Sequence, residues 1–103
     1  MKKTIAIDFD GPIHQFREGW RNGELYGEPV KDVKWAIKTF LSAGYEVVIY
    51  TARENIAETK PWLEMNGFPD LKITNKKPKA IAYIDDRGIR FENNWDSIVK
   101  LFV

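Results

Sequence analysis

Three short apolar runs, each ending in a polar cluster, constrain this chain more than any other feature. Thr4-Ile5-Ala6-Ile7-Asp8-Phe9 leads into Asp10-Gly11, Tyr45-Glu46-Val47-Val48-Ile49-Tyr50 into Thr51-Ala52-Arg53, and Ala80-Ile81-Ala82-Tyr83-Ile84 into Asp85-Asp86-Arg87. Runs this short, rich in β-branched and aromatic residues, suit strands buried on both faces, as in parallel sheets. Leu71 to Thr74 reads as a weaker strand. Between the first two runs, Val30, Val33, Ala36, Ile37, Phe40 and Leu41 recur at three- and four-residue spacing ahead of Gly44, which predicts a helix over 30–43. A second helical stretch covers about 54–66, where Pro61 should break or restart it, with Thr59 as the cap of the second piece and Gly67 as its stop. Trp95 to Phe102 reads as a short amphipathic helix. Trp35, Trp62 and Trp95 all fall on these helices and are expected to pack against the sheet.

Strands alternating with helices predict an α/β chain: a three-layer, Rossmann-like fold with a mostly parallel sheet. A length of 103 residues allows one domain, 1–103. Ligands in such folds bind beyond the C-terminal ends of the strands. Asp8 with Asp10, Thr51 with Arg53, and Asp85 with Asp86 are therefore candidates for a single site. The segment 12–29 carries Pro12, Pro29 and the turn signal Asn22-Gly23, so it reads as a loop or small hairpin, a flap candidate beside that site.

Composition removes several alternatives. The apolar fraction of 44% is too high for a disordered chain. A net charge of +1 gives no global field toward nucleic acid or a membrane surface. The absence of cysteine excludes a disulfide framework, thiol catalysis and a thiolate zinc site, and suits a reducing cytosol. No apolar run is long enough to span a bilayer, and the start lacks a signal-peptide core, so the expectation is a soluble, unprocessed, cytoplasmic protein.

Asp8 and Asp10, one residue apart in an extended segment, present both carboxylates to one side if the strand persists to Asp10. Asp85 and Asp86 bring two more acids. Carboxylates gathered without clustered histidine form an oxygen-donor site, suited to a hard cation such as Mg²⁺ rather than zinc. Alone, Asp-x-Asp-Gly reads as a strand-end turn, Thr51 as a turn or cap residue, and the lysines at 76, 77 and 79 as solvated side chains.

Taken in order, these features resemble the four motifs of the haloacid dehalogenase superfamily of phosphatases across nearly the whole chain. Asp8-Phe9-Asp10-Gly11 is similar to the first motif and Thr51, after Val47-Val48-Ile49-Tyr50, to the second. A lysine of Lys76-Lys77-Pro78-Lys79 is similar to the third, and Asp85-Asp86 to the fourth. The resemblance implies that Asp8 attacks phosphorus to form an aspartyl-phosphate, while Asp10 protonates the leaving oxygen and then activates water. It implies Mg²⁺ held by the Asp8 carboxylate, the Asp10 backbone carbonyl and the Asp85 carboxylate, with Asp86 a second ligand or an outer partner through water. Thr51 would donate to a phosphoryl oxygen. Lys77, which precedes proline as the family's lysine commonly does, would neutralise charge, with Lys76 and Lys79 as alternatives.

Arg53 and Arg87 suit either a substrate phosphate or a pairing with the clustered acids. His14, the only histidine, reads as structural or solvent-facing. Trp20 and Tyr26 are candidates to cover a substrate base or sugar, which makes a nucleotide the favoured phosphorylated substrate, with sugar phosphates and nucleic-acid ends close behind. Two departures from the family pattern stand out. Pro12 occupies the place of a usual threonine, which affects loop geometry more than chemistry. The link 75–79 must also cross about 14 Å of sheet, at roughly 4.8 Å per strand. Five extended residues reach only about 16–18 Å, so the third strand must be short. No cap domain is expected, since no insertion follows Thr51, and the open site admits a large substrate or a second subunit, as in a homo-oligomer. A non-catalytic phosphate- or metal-binding module of the same fold is the alternative. A receiver domain would place its paired acids near the first strand instead of after the fourth.

Overall fold

The computed structural model describes residues 2–15, 27–53 and 56–103. Four parallel strands form one sheet in the order β3-β2-β1-β4, with β1 Thr4–Asp8, β2 Glu46–Tyr50, β3 Lys72–Thr74 and β4 Ala82–Ile84. Helix α1 (Val33–Ser42) joins β1 to β2, and a 3₁₀ turn (Ile56–Glu58) running into α2 (Thr59–Met65) joins β2 to β3. Helix α3 (Trp95–Lys100) follows β4. This is the α/β, Rossmann-like architecture that strand–helix alternation predicts, and no cap domain is present among the described residues.

Alternate residues of β1 and β2 separate the two faces. Ile5, Ile7, Val47 and Ile49 join Val33 and Ile37 of α1 and Trp62 and Leu63 of α2 in one apolar core, which places both helices on the same face. Ala6 and Val48, on the opposite face, are also buried. Both β3 and β4 are only three residues long, so the short link between them suffices. It crosses the Ala6 face, where the Tyr83 hydroxyl donates to the Pro78 carbonyl at 2.6 Å.

Three differences from the expected elements have local causes. Helix α1 begins at Val33 instead of Val30, because the Val30 N–H donates to the Ile13 carbonyl at 2.8 Å and ties that segment to the base of the flap candidate. Thr59 is the first residue of α2, not its cap; Glu58 holds the cap position, and the buried Thr59 hydroxyl has no hydrogen-bond partner among the described residues. Pro61 falls in the first turn, where its missing N–H costs nothing, so it restarts the helix as expected. Of the three helical tryptophans only Trp62 packs against the sheet; Trp35 and Trp95 are 69% and 65% exposed. No helix among the described residues is long and apolar enough to cross a membrane.

Candidate active site

Strand order and register assemble the candidate residues. Central β1 ends at Asp8, which lies beside Tyr50 of β2, and Ile7 pairs with Ile84 of β4. Thr51 and Asp85, the next residues along β2 and β4, therefore flank Asp8 from either side. The Phe9 N–H continues the ladder one step further by donating to the Tyr50 carbonyl at 3.1 Å.

Asp8 accepts the Phe9 N–H at 3.0 Å. Its carboxyl is nonetheless pushed up to about 6, chiefly by burial and then by the charges of Asp86, Asp10 and Asp85, against the lowering effect of that hydrogen bond. Three further acids are thus close enough to raise the cost of a charge on Asp8.

After Asp8 the chain turns sharply. The Phe9 carbonyl accepts from both Ile13 (3.1 Å) and His14 (2.9 Å), while the Gly11 N–H donates to the His14 carbonyl at 2.9 Å. Pro12 fits because none of these bonds needs an N–H at position 12. Gly11 is required twice over, by a φ of 105° and by the Asp86 carboxylate, which occupies the space a Cβ would take. Asp86 therefore packs directly on the loop that follows β1.

The Asp10 carboxylate takes part in three hydrogen bonds. Arg53 donates from Nε to Oδ2 at 2.8 Å and from Nη2 to Oδ1 at 2.9 Å, a charge-assisted bidentate pair. His14 Nδ1 lies 2.9 Å from Oδ1. The Gly27 N–H donates to His14 Nε2 at 2.9 Å, so Nε2 carries no proton and Nδ1 is the donor to Asp10. The ring is 0% exposed, stacked on Phe9 at 5.4 Å and edge-on to Trp62 at 5.3 Å. Trp62 Nε1 in turn donates to the Gly27 carbonyl at 3.3 Å. Gly27 can be nothing larger, since a Cβ there would strike the Gln15 carbonyl. His14 thus takes the structural of its two expected roles and is not solvent-facing. Sequence reasoning gave it no link to Asp10, although its position four residues after Asp10 and next to Ile13 was the available signal.

Arg53 takes the pairing role rather than an open substrate-binding one, 8% exposed, with its guanidinium carbon 5.8 Å from the Phe9 ring centroid. Thr51 is buried, its Oγ1 accepting the Arg53 N–H at 3.1 Å, which leaves the hydroxyl proton to be donated. Asp85 turns Oδ1 back onto its own loop, accepting from the N–H groups of Arg87 (3.1 Å) and Gly88. Arg87 and Lys77 line a cleft of about 380 Å³ together with Asp8, Tyr50, Tyr83 and Asp85, and Lys77 Nζ lies 4.6 Å from the Tyr83 ring centroid. Of the sequence-derived residues, Asp8, Lys77, Asp85 and Arg87 share the cleft, whereas Thr51 and Asp86 do not line it, and Asp10 pairs with Arg53 and His14 outside it.

For a divalent cation the donors are right in kind: all are oxygens, and Asp8 stands in a field of like charges that a cation would relieve. No three histidine, aspartate or glutamate side chains among the described residues form a group able to hold a metal ion. The four acids therefore do not form a closed carboxylate cage. Trp20, Tyr26 and the flap candidate between residues 16 and 26 lie outside the described residues.

No family model and no curated protein matches the chain. Among solved structures it is similar to a conserved protein coded by a locus of Bacteroides thetaiotaomicron, with a TM-score of 0.66 and 23% identity over 98% of this chain and 89% of that one. At that identity the likeness establishes a shared fold.

Proposed function

We propose that the chain is a magnesium-dependent phosphohydrolase that cleaves phosphate monoesters through an aspartyl-phosphate on Asp8. The observation that carries this reading is Asp8 itself, half-buried at the end of the central strand, within the charge of three other acids and on the wall of a cleft that also presents Lys77 and Arg87.

In the first step an Asp8 oxygen forms a bond to phosphorus as the ester P–O bond breaks, and the leaving oxygen takes a proton from Asp10. In the second, Asp10 takes a proton from water, and the new hydroxide attacks phosphorus, releasing phosphate and restoring the Asp8 carboxylate. Lys77 and Arg87 offset phosphoryl charge from the cleft wall, and the Thr51 hydroxyl donates to a phosphoryl oxygen. Bound Mg²⁺, held by Asp8, the Asp10 carbonyl and Asp85 with Asp86 nearby, would supply charge neutralisation at the transferring group. Arg53 and His14 together place three hydrogen bonds on the Asp10 carboxylate, two on Oδ1 and one on Oδ2, which leaves one acceptor position on Oδ2 for the proton transfer.

That same occupancy favours a second reading, a phosphate- or metal-binding module without turnover. A panel of nucleotides, sugar phosphates and aryl phosphates, assayed with and without Mg²⁺, separates the two. Turnover that needs both the cation and Asp8 supports the enzyme; binding of beryllofluoride, an aspartyl-phosphate mimic, with no hydrolysis supports the module.

A further inference from the structure

The last quarter of the chain is exposed in a way the rest is not. Of thirteen large hydrophobic side chains exposed among the described residues, ten lie between Ile81 and Val103. No residue of β4 or α3 is buried: Ile84 on the core face of β4 is 39% exposed, Tyr83 on the other face 43%, and Trp95 in α3 65%. Phe91, Trp95, Val99 and Phe102 recur at three- and four-residue spacing, and the Phe91 and Trp95 rings lie 5.3 Å apart.

The path of this arm is defined by local bonds. The Asp85 carboxylate accepts from Arg87 and Gly88, Glu92 N–H donates to Asn94 Oδ1 at 2.7 Å, Arg90 pairs with Glu92 at 3.1 Å, and Asn93 adopts a left-handed φ of 56°. Along this path no residue of β4 or α3 becomes buried. The radius of gyration is 14.9 Å, where about 12.8 Å is expected for a compact chain of this length. Exposed surface is 7676 Å², against about 6,000 Å² for a compact monomer of this mass. This excess of about 1,700 Å² belongs to the whole chain; the ten exposed hydrophobic side chains between Ile81 and Val103 contribute to it, and a standard interface needs only about 800 Å² from each partner.

We infer that β4 and residues 89–103 form the interface of a two-fold dimer, in which each arm covers the edge strand of a second copy of this chain. The charged residues of the arm, Arg90, Glu92, Asp96 and Lys100, balance in sign, which suits a self-complementary surface and offers no attraction to a polyanion or an anionic membrane. Strand β4 is the open edge beside β1, with no proline or bulge to protect it, and its exposed side chains continue into the arm. A second copy would cover both.

The test is the solution mass of the full chain by sedimentation velocity and light scattering across a wide concentration range. The expected mass is twice the chain's 12.0 kDa. Trp95→Asp and Val99→Asp, each at an exposed position, should raise the dissociation constant at least about thirtyfold, as loss of an aromatic interface anchor does, with the far-UV circular dichroism kept. Trp35→Asp, exposed on α1, should leave the doubled mass unchanged. A single-chain mass at every concentration overturns the inference; Trp95 fluorescence showing a buried ring would then identify closure of the arm on its own sheet. A doubled mass that survives both Trp95→Asp and Val99→Asp overturns it too. Mass is read without any turnover, so either failure leaves the phosphohydrolase reading standing.

Discussion

The aromatic group beneath Asp10 and the C-terminal arm are built from the same residue types and have opposite fates. Phe9, His14 and Trp62 meet at ring distances of 5.3–5.4 Å and are almost wholly buried; Phe91 and Trp95 also meet at 5.3 Å, yet are 53% and 65% exposed. In the first case every polar edge is used: His14 joins Asp10 to Gly27, and Trp62 holds Gly27 from the other side. Contributions from β1, the flap base and α2 close that cluster within one chain. The arm has no such partner among the described residues. Aromatic contact alone, then, does not build a core; a second element on the far side of the rings is what removes water.

The largest expected effect is chemical. Asp8→Asn should lower turnover at least about a thousandfold, since the nucleophile itself is lost, with circular dichroism unchanged. Next comes packing. Phe9→Ala or Trp62→Ala should cost about 3–5 kcal/mol in urea unfolding, as truncation of a buried aromatic does. Trp95→Ala should alter stability only through the dimer, so that its effect fades on dilution. Equal losses for Trp62→Ala and Trp95→Ala in dilute protein would erase the contrast.

Smaller effects divide the His14 bridge. Asparagine can place a donor where Nδ1 stands, and glutamine an acceptor where Nε2 stands. His14→Gln should therefore keep the Gly27 bond, lose the Asp10 bond and lower kcat about tenfold, the equivalent of one charge-assisted hydrogen bond. His14→Asn should retain more of kcat. A purely structural histidine would make the two variants differ in stability and not in kcat.

The smallest effect follows from Asp8. Its folded carboxyl titrates near 6, above the ordinary 3.8. The stability it contributes is therefore full below the unfolded value and lost as pH rises through about 6. Without metal, Asp8→Asn should raise the melting temperature by roughly 2–5 °C at neutral pH, allowing for solvent screening, and by less at pH values below about 5. Added Mg²⁺ should narrow the gap by stabilising only the wild type, and more at neutral pH than in acid, because cation and proton compete for the carboxylate.

How much of this was legible beforehand depends on the range of the signal. The strand ends that carry Asp8, Thr51 and Asp85 could be read locally, because an apolar run followed by acids and glycine fixes both the strand and where it stops. The short third strand followed from chain reach across the sheet, whereas the fourth, read as Ala80 to Ile84, spans only Ala82–Ile84. The Asp10–Arg53 pair spans 43 residues, and no local pattern says whether an arginine at a strand end meets substrate or a neighbouring acid. The role of His14 depends on Gly27, thirteen residues away across the flap candidate. For the arm, spacing revealed an amphipathic helix, but the expectation that Trp95 would pack against the sheet failed, because a helical apolar stripe does not say which surface covers it.

The central claim is that Asp8 is a phosphoryl acceptor. It is tested most directly by incubating the Mg²⁺-loaded protein with labelled phosphate esters, quenching in acid and locating the label by peptide mass. The account predicts an acid-stable, alkali-labile phosphate on Asp8, absent in Asp8→Asn and without Mg²⁺. Mg²⁺-dependent turnover in which Asp8→Asn matches the wild type, or label on any other residue, would contradict it.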